Sequence, residues 1–373
     1  MEQKFSRVFG LDLSKKTYHQ CMLFGPNLQE RKFSKGEMNP QGRKDLAKGV
    51  KEGDHILLEA GSSSFTLARY LMTNTPATVT VLNPADLHII FKTTCKTDKK
   101  DSMKIADLGR RYEIHELPTV DVPTEQEQAE RSVVSQQADM AELRTAHVNR
   151  LHARFNSLGY CDISKADLKD PIKRIQLCKR CFKDPGNLRQ AQMIIEHMEL
   201  CEQHLAEIAE QMRCICLAHP REASSLLSIF GFGLVNTATF IAFLGDCSRF
   251  SHPRQVCNYA GITPRIDCSG QRNVIGGITH MGNRYIRRAI VQGAWAASKT
   301  KADSPLKRKY KKLVAKGKPK QVAAVAVARK MLTVAYTLVR SGELYRPMVI
   351  DEEGLIRYEQ KIKGYGLGDL LKQ

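Results

Sequence analysis

Two apolar runs near the N-terminus each end on an acid: VFGLDLSKKTY carries Asp12, and HILLEAGSSS carries Glu59. Runs of this kind read as buried strands with a carboxylate at the strand end. A third segment, KTDKKDSMKIADLGRRY, adds Asp98 and Asp101. Asp98, Asp101, Ile105, Leu108 and Tyr112 follow one another at steps of three and four, so they form one helical stripe whose apolar part should dock on a sheet. Lys99, Lys100, Lys104, Arg110 and Arg111 fall on the other faces. The stripe would carry two carboxylates toward the sheet edge that holds Asp12 and Glu59. Four acids so placed make a holder for divalent metal ions, and in a basic chain they point to chemistry on phosphodiesters. The helix dipole also favours acids in a first helical turn. That accounts for acids near 98, but not for their alignment with the apolar stripe. Asp45 and Asp54 read as ordinary surface or turn residues.

The first 115 or so residues alternate strand and helix. Strands are predicted near 5–13, 17–25 and 28–34, a helix near 40–51, a strand at 54–60, a helix near 64–74, a strand at 77–82 and a helix from 98. This is the element order of the ribonuclease-H-like fold, in which the first and fourth strands are central neighbours. Neighbouring strands lie ~4.8 Å apart, so Asp12 and Glu59 at matching ends could share a metal ion.

The formal net charge of +19 over 373 residues points to a polyanionic partner. The length suits two or three domains. No apolar stretch reads as a membrane span, and the start, MEQKFSRVFG, enters a strand without a signal peptide. Eleven scattered cysteines suit reduced thiols in a cytoplasm. Cys178 and Cys181 form a CxxC, but Cys214 and Cys216 lie far along a helix, so buried or surface thiols are a better reading than zinc.

The middle of the chain is helical. Thr124 and Glu127 fit a capping box, and Met140, Leu143, His147, Leu151, Phe155 and Leu158 form a stripe that Gly159 ends. A polar stretch with Pro171 and Pro185 follows. Ala191, Ile194, Met198, Cys201, Leu205, Ile208, Met212 and Ile215 then make a heptad seam over about 187–217. The pair suggests a coiled-coil arm, within one chain or between chains, with His147, His197 and His204 as seam or surface residues.

From 221 on, Gly231 and Gly233 separate two helical segments in a pattern similar to a helix-hairpin-helix, whose amides can hold a phosphate. Arg265, Arg272, Arg284, Arg287 and Arg288 then spread through a stretch with no acid from Ser269 to Ala289. Ser269 reads as a Gly-flanked loop residue among guanidiniums, where a hydroxyl could attack phosphorus. Ser-Gly loops are common, so this pattern alone is weak. From 301 to 330 there are eleven Lys/Arg, including Lys307, Arg308, Lys311 and Lys312, against the single acid Asp303. The run suits contact with an RNA or DNA backbone. A helix over about 320–340 with Val322, Val325, Ala326, Met331, Val334 and Leu338 should pack on this region. The tail after 346 is polar and expected to be loosely held.

The N-terminal acids with TDKKDSMKIA, together with GITPRIDCSG…GGITHMGNRYIRRAIVQGA, resemble the DEDD transposases of the RNA-guided (bridge-RNA) insertion sequences. The likeness covers 5–115 and 222–298. It implies a RuvC-like domain (1–118), a helical coiled-coil domain (119–220), a mainly helical transposase domain (221–345) and a tail (346–373). It implies catalytic and metal-binding roles for Asp12, Glu59, Asp98 and Asp101 with Mg²⁺ or Mn²⁺, and a nucleophilic serine at Ser269. Cys268 stands where family members often have another serine. The resemblance further implies an element-encoded non-coding RNA that selects donor and target double-stranded DNA. It implies a homodimer or homotetramer in which acids and serine meet across protomers, in a bacterial cytoplasm at the nucleoid. Lys99, Lys100, Arg265, Arg272, Arg284, Arg287, Arg288, Lys307, Arg308, Lys311 and Lys312 are the candidate nucleic-acid contacts. Two other readings stay open. One is a metal-dependent nuclease of the Holliday-junction type using water, and the other is a non-enzymatic basic RNA-binding protein.

Overall fold

The computed structural model describes residues 5–84, 86–87, 97–269 and 272–372, with the backbone alone at 266–269 and 272–275. The chain divides into two compact units, up to Gln126 and from Glu127.

The first unit holds strands β1 (Arg7–Leu13), β2 (Thr17–Phe24) and β3 (Glu30–Glu37), helix α1 (Pro40–Lys48), β4 (Asp54–Glu59), α2 (Ser64–Asn74), β5 (Thr78–Leu82) and α3 (Asp98–Arg111). The sheet order is β3-β2-β1-β4-β5. The first three strands form an antiparallel meander, whereas β4 runs parallel to both β1 and β5. This is the predicted ribonuclease-H-like arrangement, with each strand and helix close to its expected place.

Strand alternation sorts β1 into two layers. Phe9 and Leu11 join Ile56, Leu58, Leu67 and Leu71 under α1 and α2. Val8 joins Cys21, Leu23, Leu57, Ile105, Ala106 and Leu108 under α3. Each fully buried leucine or isoleucine contributes roughly 1.5–3 kcal/mol. Asn39 caps α1 by accepting from the Gly42 amide at 2.7 Å, and Thr97 caps α3 by accepting from the Lys100 amide at 3.3 Å.

Two expectations change here. Tyr112 is 46 % exposed, and α3 docks instead through Ser102, Ile105, Ala106, Leu108 and Gly109. The helix is thus rotated so that small residues meet the sheet. Asp54 is buried rather than a surface turn acid: it accepts from Arg7 Nε at 2.8 Å and Nη2 at 2.5 Å, and from the Lys51 amide at 2.6 Å. A carboxylate can be buried there because its lone pairs are filled.

The second unit opens with α4 (Glu125–Ser157), α5 (Pro171–Cys181) and α6 (Pro185–Ala218). Arg144 Nη2 lies 2.7 Å from Glu202 Oε1, and Val148, Leu151 and Phe155 share a core with Met198, Ile195 and Ala191. Ascending positions on α4 therefore meet descending ones on α6, so the two helices are antiparallel. On α4 the buried face is Val134, Ala138, Val148, Leu151 and Phe155, whereas Leu143 and Leu158 are exposed. The polar stretch with Pro171 and Pro185 contains α5, because Asp170 caps it and Pro171 fills its first turn. The buried α5 guanidinium of Arg174 donates to both Glu202 oxygens at 3.0 and 2.9 Å. Cys178 and Cys181 are core residues, and burial pushes the Cys178 thiol up to about 12.

Helices α7 (Pro220–Leu227), α8 (Leu234–Leu244), α9 (Pro253–Tyr259), α10 (Arg284–Lys299), α11 (Pro305–Ala315) and α12 (Lys320–Ser341) complete this unit around the hairpin β6 (Pro264–Ser269) and β7 (Arg272–Ile278). Gly231, at φ +89°, lets the α7–α8 turn press on α10: a Cβ there would lie 2.1 Å from the Gly293 carbonyl oxygen. Helix α12 is long and apolar enough to cross a membrane, but Val327, Ala328, Met331 and Leu332 are fully buried in the unit's core. The tail is not loose. Helix α13 (Glu352–Gly364) buries Tyr358 and Ile362, and Lys361 Nζ donates to the Leu227 carbonyl at 2.5 Å.

Candidate functional site

Gly10 and Asp12 lie two apart on β1 and so share a face. A Cβ at Gly10 would stand 2.1 Å from the Ser102 carbonyl oxygen and 2.3 Å from the Ala106 nitrogen. The missing side chain brings the α3 backbone onto the sheet, and the first turn of α3 then delivers Asp98 and Asp101 beside Asp12. The parallel pairing of β1 and β4 runs to Leu11 and Leu58, so Asp12 and Glu59 follow at the same sheet end. Leu57 faces α3, and Glu59 therefore does too.

The electrostatics agree with this convergence. The Asp12 carboxyl is held above its ordinary proton affinity, first by burial and then by the charges of Asp98, Asp101 and Glu59, with His19 opposing. Among the described residues, neither the Asp12 nor the Glu59 carboxylate has a hydrogen-bond or ion-pair partner. Asp101 Oδ1 lies 3.2 Å from Lys104 Nζ, and Asp98 Oδ2 lies 3.2 Å from His19 Nδ1.

No group of three or more His, Cys, Asp or Glu side chains among the described residues is gathered tightly enough to hold a metal ion as it stands. The cluster is a concentration of like charge around Asp12, not a closed shell of ligands. That arrangement suits Mg²⁺, which takes one or two carboxylates and fills its other positions with water and substrate phosphate. The donors are all hard oxygens, and Asp12 carries a repulsion that a cation relieves.

His19 lies in the candidate site, although the sequence reading does not single it out. It pairs with Asp12 across β1 and β2. A signal exists in TYHQCMLF, where His19 falls two positions before buried Cys21 and so takes the same face. Lys99 is also placed here, with its ammonium 4.4 Å from the centre of the Phe33 ring, and Lys100 is exposed on the same turn.

The second unit places the other candidates. Ser269 ends β6 and pairs with Arg272 at the tip of the hairpin, so it belongs to a strand end rather than an irregular loop. The Ser269, Cys268 and Arg272 side chains lie outside the described residues. Arg265 is exposed on β6. Arg284 donates to the Tyr285 hydroxyl at 2.9 Å, Arg287 to the Ala260 and His280 carbonyls at 3.1 and 3.2 Å, and Arg288 to the Ala138 carbonyl at 3.3 Å. These three arginines border a cavity of about 530 Å³ that Asp139, Glu142 and Tyr285 also line. In α11, Lys307 donates to the Thr300 carbonyl at 2.7 Å and Arg308 pairs with Asp303 at 2.6 Å, whereas Lys311 and Lys312 are exposed.

Comparison with known proteins gives a consistent result for both units. Residues 223–311 match the family described as transposases of the IS116/IS110/IS902 type. Residues 9–158 match the DEDD transposase family of IS110, so all four acids lie in this match. A protein of Sinorhizobium fredii is 26% identical over 66% of this chain and 65% of its own length, so the chain spans just under two thirds of it. The transposase of insertion sequence element IS1111A from Coxiella burnetii is 20% identical over 91% of both chains. A pilin gene-inverting protein of Moraxella bovis is 23% identical over 89% of this chain and 95% of its own.

Proposed function

Since the chain belongs to the IS110/IS116 family of transposases, we propose that it recombines DNA through two chemical elements: an acid site at Asp12, Glu59, Asp98 and Asp101, and a serine nucleophile at Ser269. The convergence of three carboxylates on a half-buried fourth supports the acid site most strongly. Such repulsion works against the fold, and is retained where a function needs it.

Asp12 and Glu59, with Asp98 or Asp101, would hold a divalent cation, which when bound supplies charge neutralisation at a phosphodiester. The protein groups do the rest. Rigid strands β1 and β4 fix two carboxylates, and the first turn of α3 fixes the other two. Ser269 Oγ attacks phosphorus and loses its proton. The P–O bond to the neighbouring nucleotide breaks, leaving a phosphoserine ester on one DNA end and a free hydroxyl on the other. Attack on that ester by the hydroxyl of a different end restores serine and joins new partners, so no high-energy cofactor is consumed. The surplus of positive charge supports a second polyanion besides DNA, and we assign it to an element-encoded guide RNA. The acids and serine act in an oligomer in which protomers complement one another.

Replacing Asp12 or Asp98 with Asn, or Glu59 with Gln, should lower recombination by orders of magnitude while the protein stays folded. Near-wild-type recombination by Asp12→Asn would remove the acid site from the mechanism. Mixing Asp12→Asn with Ser269→Ala protein should restore part of the activity.

A further inference from the structure

Strand β3 is exposed along nearly its whole length and lies at the sheet edge. Charge on an edge strand blocks pairing with other chains, and that is reason enough for Lys32. It does not explain the alternate positions. Arg31, Phe33 and Lys35 pair with Leu23, Cys21 and His19, so they share the sheet face of Asp12. Contacts from α3 fix that face. Arg31 Nη1 lies 3.2 Å from Met103 Sδ, and Lys99 Nζ lies 4.4 Å from the Phe33 ring centre.

The face is therefore graded. Asp12, His19 and Lys35 are successive cross-strand neighbours, so the acid and the edge lysine stand about two strand spacings apart, roughly 10 Å. An extended polyanion with one phosphate at the acids would be repelled there in the absence of cations, and held beyond by Lys35, Arg31 and Lys99. Asp107, 3.9 Å from Arg31 Nη2, takes up part of that arginine's charge. Phe33, 36% exposed, offers aromatic surface beside the Lys99 ammonium against which a base can pack.

We propose that the exposed face of β3, reached from the acids across His19 at the start of β2, is the track for the DNA strand that is cut at the acid site. The inference rests on the function proposed above. Its test places a photo-crosslinking phenylalanine analogue at position 33, with the same analogue at Met72 as a control. Met72 is exposed on α2, which packs on the opposite face of the sheet. Crosslinking in the assembled complex should label DNA at least tenfold more from 33 than from 72. Equal yields, or label in RNA alone, would overturn the track. A second measurement uses Arg31→Gln/Lys35→Gln protein. It should melt like wild type yet need about tenfold more DNA for half-maximal cleavage; an unchanged requirement would also overturn it. Repeating the crosslink in Asp12→Asn protein separates the two ideas. If that variant recombines normally and position 33 still labels DNA, the acid mechanism falls and the track stands.

Discussion

At the residue scale, Asp12 is the centre of the site because of its neighbours. Its carboxyl titrates above the ordinary 3.8, through burial and then through Asp98, Asp101 and Glu59. The folded state thus favours the protonated form. The associated stability is fully present below the unfolded value and is lost as pH rises through the raised folded one. Ionised Asp12 therefore opposes folding at neutral pH in metal-free protein. Asp12→Asn should raise the melting temperature at pH 7, by roughly 2–4 °C for each kcal/mol of repulsion relieved. The gain should shrink as pH falls toward the ordinary aspartate value, which thermal scans from about pH 4 to 8 would show. A gain that does not vary with pH would mean that the carboxyl is not strained by its charge. The four acids are legible in the sequence because two end apolar runs and two start a helical stripe. His19 is not, since a histidine in a strand carries no spacing signal until the register with Asp12 is known. Asp54 misleads because a strand's first acid looks the same in sequence whether or not an arginine such as Arg7 reaches it.

At the element scale, α3 transmits the fold to the site. It sits close because Gly10 has no side chain and because Ser102 and Ala106 are small and fully buried. Gly10→Ala would force the backbone of α3 away from β1, an overpacking that typically costs about 1–3 kcal/mol. The larger consequence is on activity, since Asp98 and Asp101 move with the helix. Gly10→Ala should lower the melting temperature modestly and reduce recombination at least tenfold, as denaturation and recombination assays on the same preparation would show. Loss of stability without loss of activity would detach α3 from the mechanism. Periodicity finds the correct helix here but the wrong edge of its face, because Tyr112 continues the apolar spacing one turn past the sheet. The same holds for Leu143 on α4 and for Leu158 just past its end. The hairpin β6–β7 escapes prediction because Ser269 and the glycine beside it have the composition of a loop, which masks the alternation of Ile266 and Cys268 between polar residues. Pro171 and Pro185 look like interruptions, yet each follows an aspartate, the pattern of a helix start.

At the scale of the whole molecule, the charge of +19 predicts that binding to DNA, and to the proposed guide RNA, is electrostatic and weakens with salt. The structure narrows which cations of the basic run are available. Lys307 and Arg308 are engaged with the Thr300 carbonyl and Asp303, whereas Lys311 and Lys312 are exposed. Neutralising Lys311 and Lys312 should reduce the slope of log affinity against log salt by about 0.9 for each duplex phosphate that these lysines neutralise. Neutralising Lys307 and Arg308 should change it less. Equal effects from the two pairs would show that the intramolecular bonds do not compete with nucleic acid.

The acids and the serine are proposed to act in one reaction, and denaturing electrophoresis of protein incubated with labelled DNA, guide RNA and Mg²⁺ checks this. Wild-type protein should carry covalently attached DNA, while Ser269→Ala and Asp12→Asn proteins, folded and still binding nucleic acid, should carry none. Adduct formation by Ser269→Ala, or cleavage by the wild type with no adduct at any time, would contradict it.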